Sequence, residues 1–270
     1  MTTNITGADS MVNTNIRKGS RILGSFIDAV TWDEALEAIA RWADAGESRQ
    51  VCICNVHVVA TARKDQELSE ALKEADMATP DGMPLAWLLR QEGFIDQERI
   101  NGPDFMARYC ELAARTGRLV FFYGSTEETL EKLQDRLLRM FPGLRIAGMH
   151  SPPFRPISSE EDEIDVREIN ASGASVVFVG IGCPKQELWM AQHKGRVKAV
   201  MIGVGAAFDF HAGTVKRAPV WMQERGLEWL YRLMSEPRRL WKRYLTTNMI
   251  FVFHYLNDAT RKTLANLRVI

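Results

Sequence analysis

The sequence has no long hydrophobic run: no stretch approaches the ~18 consecutive apolar residues that a membrane-spanning helix needs. Residues 1–20 are polar and contain no apolar segment of signal-peptide length, so we expect a disordered leader that does not direct secretion. An excess of one charge is also absent, because 34 Lys and Arg residues balance 34 Asp and Glu residues. This balance argues against a general nucleic-acid binder. We therefore expect a cytoplasmic protein that neither crosses a bilayer nor binds nucleic acid.

Cysteine is scarce, and its spacing does not indicate a metal site. The chain has four cysteines and five histidines. Cys52 and Cys54 are separated by one residue, which is not the spacing of a zinc ribbon, and the histidines are scattered. We interpret the cysteines as reduced thiols of a cytosolic protein and expect no structural metal.

The second half of the chain alternates between short apolar runs and longer helical segments. The apolar runs predict strands, and the segments of about ten or more residues between them predict helices. Such alternation forms right-handed crossovers and a parallel sheet that is covered on both faces. With 270 residues, the chain can form one large α/β domain with an appendage. Strands are predicted at 119–123, 144–148, 175–179 and 199–204, and helices at 125–140, 159–171 and 184–194.

The first half gives local signals for helix starts and breaks. Thr31 and Glu34 have the spacing of a capping box, which predicts a helix that ends near residue 45. Ser125 and Glu128 repeat this spacing before the helix that reaches residue 140. Pro84 suits the first turn of another helix. Further predictions are a strand pair at 21–30, a strand at 50–54, helices at 56–75 and 103–116, and a break at 78–82.

Composition changes at residue 218. The segment 218–270 is rich in aromatic and basic residues, helical by composition and without a predicted strand. Basic residues that alternate with aromatics suit an anionic membrane surface, nucleic acid, or a helical packing domain with a solvated face. The residues alone leave these alternatives open. The predicted organisation is a leader at 1–20, an α/β core at 21–217 and a C-terminal helical appendage at 218–270.

Three predicted strands end in glycine turns, at 124–125, 180–182 and 203–205. In an open parallel sheet, ligands bind at the carboxyl ends of the strands. A strand, a glycine turn and a helix N-terminus together form a natural anion site. Glycine also simply permits tight turns, so one such turn is weak evidence. Three in register favour a ligand site at this edge of the sheet.

The turn at 180–182 lacks the features of two common nucleotide sites. A dinucleotide fingerprint needs a third glycine, and Lys185 stands at that place. The spacing of a P-loop is also absent. A lysine beside free backbone N–H groups suits a diphosphate without specifying which one.

Four ordered motifs resemble those of the WecG/TagA/CpsF glycosyltransferases of bacterial surface-polymer synthesis, and RINGPDF at 99–105 fits as well. The resemblance covers about residues 21–245. It implies a Rossmann-like core that transfers a sugar from a UDP-sugar, with inversion, to a sugar on a polyprenyl diphosphate. It also implies docking on the cytoplasmic face of the cell membrane through the C-terminal part. The motifs are ATPDGMPLAW (78–87), GCPKQELWM (182–190), GVGAAFDFHAGTVKRAP (203–219) and GLEWLYRLMSEPRRLWKRY (226–244).

The resemblance gives catalytic roles to two residues. Asp81 lies in a Pro-Asp-Gly bend and by itself suits an Asx-turn, whereas Asn55 by itself suits a helix cap. The family motif makes Asp81 the base and puts Asn55 in the active site. Ile53 replaces a frequent family threonine and Cys54 a proline. This departure favours glucose as the donor sugar over N-acetylmannosamine or its uronic acid.

The leaving diphosphate needs compensation of its charge. The chain contains no Asp-x-Asp, the motif with which many glycosyltransferases hold a metal, so we expect Lys185, arginines and backbone N–H groups to supply it. Gln186 and Glu187 are candidates for ribose or sugar hydroxyls, and Asp209 for the uracil N3–H. As alternatives, the 184–187 segment is an ordinary first helical turn and Asp209 a helix cap. The predicted donor site comprises Gly124, Ser125, Gly182, Pro184, Lys185, Gln186, Glu187, Gly205 and Asp209.

A second group of residues is predicted to bind the diphosphate or the acceptor. Two of its arginines match family arginines with a proposed place over the diphosphate. The arginines that match the family are Arg232 and Arg239. The whole group is Arg99, Asn101, Arg217, Arg232 and Arg239. The expected partners are a UDP-sugar, a polyprenyl-diphosphate sugar and an anionic membrane surface, with no cofactor and no metal. The alternatives are a non-catalytic nucleotide-binding module and a nicotinamide-dependent oxidoreductase, and the oligomeric state stays open.

Overall fold

The computed structural model describes residues 17–267, and the side chains of residues 17–257. Its first elements are β1 (Gly19–Ile22) and β2 (Ser25–Asp28), which pair in an antiparallel hairpin beside the main sheet. The hairpin confirms the strand pair predicted at 21–30. Most of the predicted leader lies outside the described residues, and its last two residues begin β1.

Within the described chain, six strands form one parallel sheet in the order β4-β3-β8-β7-β5-β6. Apolar clusters cover both of its faces. The parallel α/β prediction is confirmed, and the fold is Rossmann-like. The strands are β3 (Arg49–Cys54), β4 (Met77–Pro80), β5 (Leu119–Gly124), β6 (Arg145–His150), β7 (Val176–Gly180) and β8 (Val200–Gly203).

Helices connect the strands and cover the sheet. Thr31 and Glu34 form the predicted capping box at the start of the first helix. The helices of the α/β part are α1 (Trp32–Asp44), α2 (Val56–Ala62), α3 (Gln66–Glu74), α4 (Met83–Gln91), α5 (Gly102–Thr116), α6 (Glu127–Met140), α7 (Ser159–Ala171), α8 (Lys185–His193) and α9 (Ala207–Ala212).

Three local predictions were wrong. The helix predicted at 56–75 is two helices, because the Asp65 carboxylate accepts the Leu68 N–H and caps α3. The break predicted at 78–82 begins with the buried strand β4, where a proline is tolerated at the edge of the sheet. The cap of α6 is Thr126 rather than Ser125, because Ser125 has a φ of 62° and an N-cap needs extended backbone.

The segment after residue 218 is helical, as predicted. It forms α10 (Val220–Glu224), α11 (Glu228–Ser235) and the long α12 (Pro237–Leu267), which packs across α2. Leu240 of α12 is buried. None of the helices in the described part of the chain combines the length and apolar character needed to cross a membrane.

Candidate active site

A cleft of about 1250 Å³ opens at the carboxyl ends of the strands. Register pairs join Gly124 to Gly180 and Val179 to Gly203, so the three glycine turns lie side by side at this edge. The loop after β6 and residues of α2, α4, α8, α11 and α12 supply further parts of the wall. The cleft therefore lies where parallel-sheet proteins bind their ligands.

Asn55 and Asp81 face each other at the ends of β3 and β4. The two strands pair Cys54 with Pro80, and the next residue of each strand enters the cleft. The Asp81 N–H donates to the Cys54 carbonyl at 2.6 Å, which holds the bend beside Asn55. Asn55 Oδ1 accepts the N–H groups of the first turn of α2, and its Nδ2 donates to Asp81 Oδ2 at 3.4 Å. Asn55 is therefore a helix cap that also lines the cleft.

Asp81 is one end of a short network of charges. Arg99 donates from Nη2 to Asp81 Oδ1 at 3.2 Å and to Glu228 Oε2 at 2.7 Å. All three side chains are less than one-fifth exposed. Burial raises the pKa of the Asp81 carboxyl above its ordinary value, the Arg99 guanidinium opposes this, and the Glu228 carboxylate adds to it. A carboxyl group with a raised pKa in a cleft is a candidate general base.

The network continues behind the cleft. Arg217 pairs with Asp104, and its Nη2 donates to Asn101 Oδ1 at 3.1 Å. Asn101 caps α5 and is buried. Hydrogen bonds from Arg217 and Asn101 hold the pKa of the Asp104 carboxyl below its ordinary value, against the effect of burial. In this conformation, Asn101 and Arg217 do not line the cleft but support the residues that do.

The glycine turn before α8 leads a lysine into the cleft. Gly182 has a φ of 84°, and no described atom lies within 4 Å of the Cβ that another residue would carry, so its backbone conformation explains the glycine. Pro184 follows a cis peptide bond and precedes Lys185, the exposed first residue of α8. At the neighbouring turn, a Cβ on Gly124 would lie 2.6 Å from the Gly180 backbone, so close strand packing explains that glycine.

Ser125 is the residue with backbone strain in the cleft wall. Its φ of 62° lies in the left-handed region, which costs a residue other than glycine about 1–3 kcal/mol. The Ser125 carbonyl accepts a hydrogen bond from Ser151 Oγ at 2.8 Å, which ties this turn to the loop after β6. Strain of this kind recurs at ligand sites, so Ser125 keeps its place among the candidate residues.

Gln186 and Glu187 form hydrogen bonds beneath the glycine turns, in the protein interior. Gln186 Oε1 accepts the Gly205 N–H at 3.1 Å, and its Nε2 donates to Glu187 Oε1 at 2.9 Å. Glu187 is fully buried and does not line the cleft, and burial raises the pKa of its carboxyl. In this arrangement both the oxygen and the nitrogen of the Gln186 side-chain amide are engaged within the protein. Its contact with a ligand hydroxyl therefore stays a prediction, as does that of Glu187.

Asp209 lies opposite two arginines of the C-terminal helices, Arg232 and Arg239. Burial raises the pKa of its carboxyl, whereas a hydrogen bond from Thr214 and the charges of Arg239 and Arg232 lower it. The Arg232 guanidinium lies 5.4 Å from the centre of the Phe210 ring, which holds it over α9. Arg239 pairs with Glu236 at 2.8 Å. Both predicted tail arginines thus line the same cleft as Asp209.

The structure brings most of the predicted residues together. Those that line the cleft are Asn55, Asp81, Arg99, Ser125, Gly182, Lys185, Gln186, Gly205, Asp209, Arg232 and Arg239. Those that do not line it are Gly124, Pro184, Glu187, Asn101 and Arg217. No three histidine, cysteine or acidic side chains are placed to hold a metal within the described part of the chain.

Sequence reasoning missed four parts of the wall. Glu228 stands in the motif GLEWLYRL, but nothing local indicates that it reaches Arg99. The proline-rich loop 152–157 follows β6 at the ligand edge of the sheet, and its Phe154 is 83% exposed. Tyr123 and Trp189 stack with ring centres 4.4 Å apart. His57 lies two residues after Asn55, in the first turn of α2. Burial together with the Arg243 charge lowers the pKa of its imidazole to about 4, so the imidazole is neutral at pH 7.

Comparison with known proteins identifies relatives and a family of this chain. An N-acetylglucosaminyldiphosphoundecaprenol N-acetyl-beta-D-mannosaminyltransferase of Bacillus spizizenii is similar, with 30% identity over 222 residues, 82% of this chain and 84% of that protein. A protein of the same name from Bacillus subtilis is 31% identical over 193 residues, 71% of this chain and 73% of that protein. The glycosyl transferase WecG/TagA/CpsF family matches residues 20–265. The chain therefore belongs to the WecG/TagA/CpsF family of glycosyltransferases.

Proposed function

We propose that the protein is an inverting glycosyltransferase that moves a hexose from a UDP-sugar to a sugar carried on a polyprenyl diphosphate. The observation that carries the proposal is the place of Asp81. Its carboxylate enters the cleft at the end of β4, between the amide of Asn55 and the guanidinium of Arg99. A base at this point can take the proton of the acceptor hydroxyl while the hydroxyl oxygen attacks the anomeric carbon.

The surroundings of Asp81 suit a base. A raised pKa makes this carboxylate a better proton acceptor than an exposed aspartate, because proton transfer is more favourable. Asn55 Nδ2 and the Arg99 guanidinium contact different oxygens of the carboxylate and fix its orientation. In the proposed reaction, the bond to the acceptor oxygen forms as the bond to the UDP oxygen breaks, which inverts the anomeric carbon.

The proposed donor site lies along the glycine turns. Lys185 and the positive end of the α8 dipole offer positive charge to the leaving diphosphate. Asp209 is the proposed partner of the uracil N3–H, and Arg232 and Arg239 close over the diphosphate from the C-terminal helices. These groups stabilise the charge that develops on the leaving group.

We also propose that the transfer needs no divalent metal. The sequence contains no Asp-x-Asp, and cationic side chains line the cleft instead. Activity should survive treatment with EDTA. Loss of turnover on chelation that Mg²⁺ or Mn²⁺ restores would contradict this part of the proposal.

The relatives' names suggest the sugars. Both relatives are named as transferring N-acetylmannosamine to N-acetylglucosaminyl-diphosphoundecaprenol. We propose the same pair as the first to test for this chain. The sequence-based preference for glucose rested on Ile53 and Cys54. Ile53 lines the cleft, whereas Cys54 is fully buried, so only Ile53 is placed to affect the donor sugar.

A donor screen tests the proposal directly. The full chain is incubated with polyprenyl-diphosphate N-acetylglucosamine and, in turn, UDP-N-acetylmannosamine, its uronic acid form and UDP-glucose, and the lipid product is read by mass spectrometry. A disaccharide lipid in one or more reactions is the expected result. Tight UDP binding without any product would indicate a non-catalytic binding module, and binding of NAD(H) would indicate an oxidoreductase.

A further inference from the structure

The C-terminal helices bring an acid, as well as arginines, to the candidate active site. We propose that Glu228, the first residue of α11, is a positioning residue that acts on the base Asp81 through Arg99. This inference rests on the proposed function, because it assigns Asp81 the role of base.

The geometry shows one guanidinium shared by two carboxylates. The same nitrogen, Arg99 Nη2, lies 2.7 Å from Glu228 Oε2 and 3.2 Å from Asp81 Oδ1. Arg99 Nε also lies 3.3 Å from Asp81 Oδ1. The contact to Glu228 is the shorter one, so Glu228 draws the guanidinium away from a close ion pair with Asp81. Asp81 Oδ2 is left to the weak contact from Asn55 at 3.4 Å, where it is available for a substrate proton.

The Glu228 carboxylate lies among groups of opposite charge. Its Oε1 lies 4.0 Å from Arg217 Nε, so the carboxylate stands between two guanidinium groups. Arg217 is itself paired with Asp104 on α5. Among the described residues, the charges that act on Asp81 are those of Arg99, which lowers the pKa of its carboxyl, and Glu228, which raises it. The effect of Glu228 therefore opposes that of Arg99.

This arrangement links the position of α11 to the strength of the base. With Glu228 in place, Asp81 keeps a higher pKa, and its contact with Arg99 is longer than the contact between Arg99 and Glu228. Without the Glu228 charge, Arg99 has Asp81 as its remaining partner in this trio, and the base becomes weaker. A purely structural ion pair would change thermal stability but would leave the pH dependence of turnover unchanged.

The first experiment compares Glu228→Gln with the wild-type full chain. We expect kcat at neutral pH to fall roughly 10-fold, a fraction of the effect of a positioned base, with little change in KM for the UDP-sugar. In the pH dependence of kcat, the decrease on the acidic side should occur at a lower pH than in the wild-type protein. Glu228→Asp, which keeps the charge, should recover part of the loss. Glu224→Gln on the exposed face of α10 is the matched control and should behave as wild type.

The second experiment does not need turnover. The carboxyl ¹³C signal of Asp81, assigned by its loss in Asp81→Asn, is titrated in the wild-type protein and in Glu228→Gln. A lower pKa of Asp81 in the variant supports the coupling, and an equal or higher pKa overturns it. If the wild-type protein transfers none of the sugars, the proposed function fails while this titration still decides the coupling. Thermal melting identifies a variant that is unfolded, and Glu228→Ala, which also lacks the charge, then serves in place of Glu228→Gln.

Discussion

The α/β core and the C-terminal helices meet at the cleft, but they place their residues in different ways. In the core, the backbone does so: paired strand ends set Asn55 beside Asp81, and the turn at Gly182 leads to Lys185. In the helices after residue 218, long side chains reach in from α11 and α12, and most of the exposed large apolar side chains of the described chain also lie there. No residue of α11, an element described in full, is buried.

This difference suggests that the α/β core and the C-terminal helices have different roles. Residues fixed by strand pairing are suited to chemistry, which depends on sub-ångström placement. Residues on partly exposed helices are suited to holding a charged substrate and a surface. Glu228 is the exception, because it comes from α11 and touches the core network through Arg99. Substitutions in the two regions test this difference in role.

The largest effect is expected in the core. Asp81→Asn removes the proposed base and should lower kcat by about 10²–10⁴-fold, the usual range for a positioned acid–base group. UDP affinity, measured by calorimetry, should hardly change. Turnover close to wild type would exclude Asp81 as the base. The α/β core would then lose its proposed catalytic role relative to the C-terminal helices.

The same variant should not lose stability. Burial raises the pKa of Asp81 in the folded state, so the ionised carboxylate costs stability at pH values above its folded pKa. That cost disappears as the pH falls through the folded pKa towards the unfolded value of about 3.9. Asp81→Asn should therefore melt at the wild-type temperature or higher at pH 7, and the difference should narrow towards about pH 4. A marked decrease at pH 7 would show that Asp81 is mainly structural.

The tail arginines should have the next largest effect. Arg232→Ala combined with Arg239→Ala removes two charges that line the cleft. Because neither side chain is buried, each contact is expected to contribute about 1 kcal/mol. We expect kcat/KM for the lipid-diphosphate acceptor to fall about 10–100-fold. Arg238→Ala, exposed on the same helix and not part of the cleft wall, is the control. Equal losses in both variants would indicate a general charge effect.

Lys185 tests the anion site of the core. Lys185→Ala removes the exposed lysine at the start of α8, and UDP binding should weaken by roughly 10-fold, as for one charge-assisted contact. Isothermal titration with UDP and with uridine separates the two parts of the ligand, because only the diphosphate needs the lysine. Lys198→Ala, an exposed lysine near β8, should bind UDP normally. An equal loss for uridine would place Lys185 away from the diphosphate.

The smallest effect concerns the anionic membrane surface that the sequence predicts as a partner. Lys242 lies on α12 next to the exposed Trp241. A basic residue near an anionic membrane contributes about 1 kcal/mol, so Lys242→Ala should lower partition into phosphatidylserine vesicles about 5-fold at low salt. Binding to neutral vesicles should stay the same. Equal binding of the wild-type chain to neutral and anionic vesicles would rule out an electrostatic anchor.

The fold was largely predictable because its signals are local. Apolar runs, glycine turns and the Thr31 capping box each depend on a few neighbouring residues, and the structure confirms them. The errors arose where a short signal was ambiguous. The first helix ends at Ala62 and Asp65 caps the next one, although the composition is helical throughout. The four residues of β4 gain their strand character from pairing with β3.

Several residues of the candidate site were predictable from the sequence. Family motifs and glycine turns indicated Asp81, Asn55 and Lys185, and all three line one cleft. Motifs did not separate residues that face the cleft from those that support it. Glu187 follows Gln186 directly, yet it is buried in the interior, because one step along a helix turns a side chain by about 100°.

The sequence by itself therefore determined the alternation of strands and helices, the glycine turns and the basic, aromatic C-terminal segment. Each of these follows from local patterns of polarity and backbone freedom. Only the tertiary structure decided that β8 and β7 lie between β3 and β5, which brings the turns together. It also decided that α11 packs so that Glu228 reaches Arg99, 129 residues away along the chain. Such a contact depends on how distant elements pack, and no local pattern of residues encodes it.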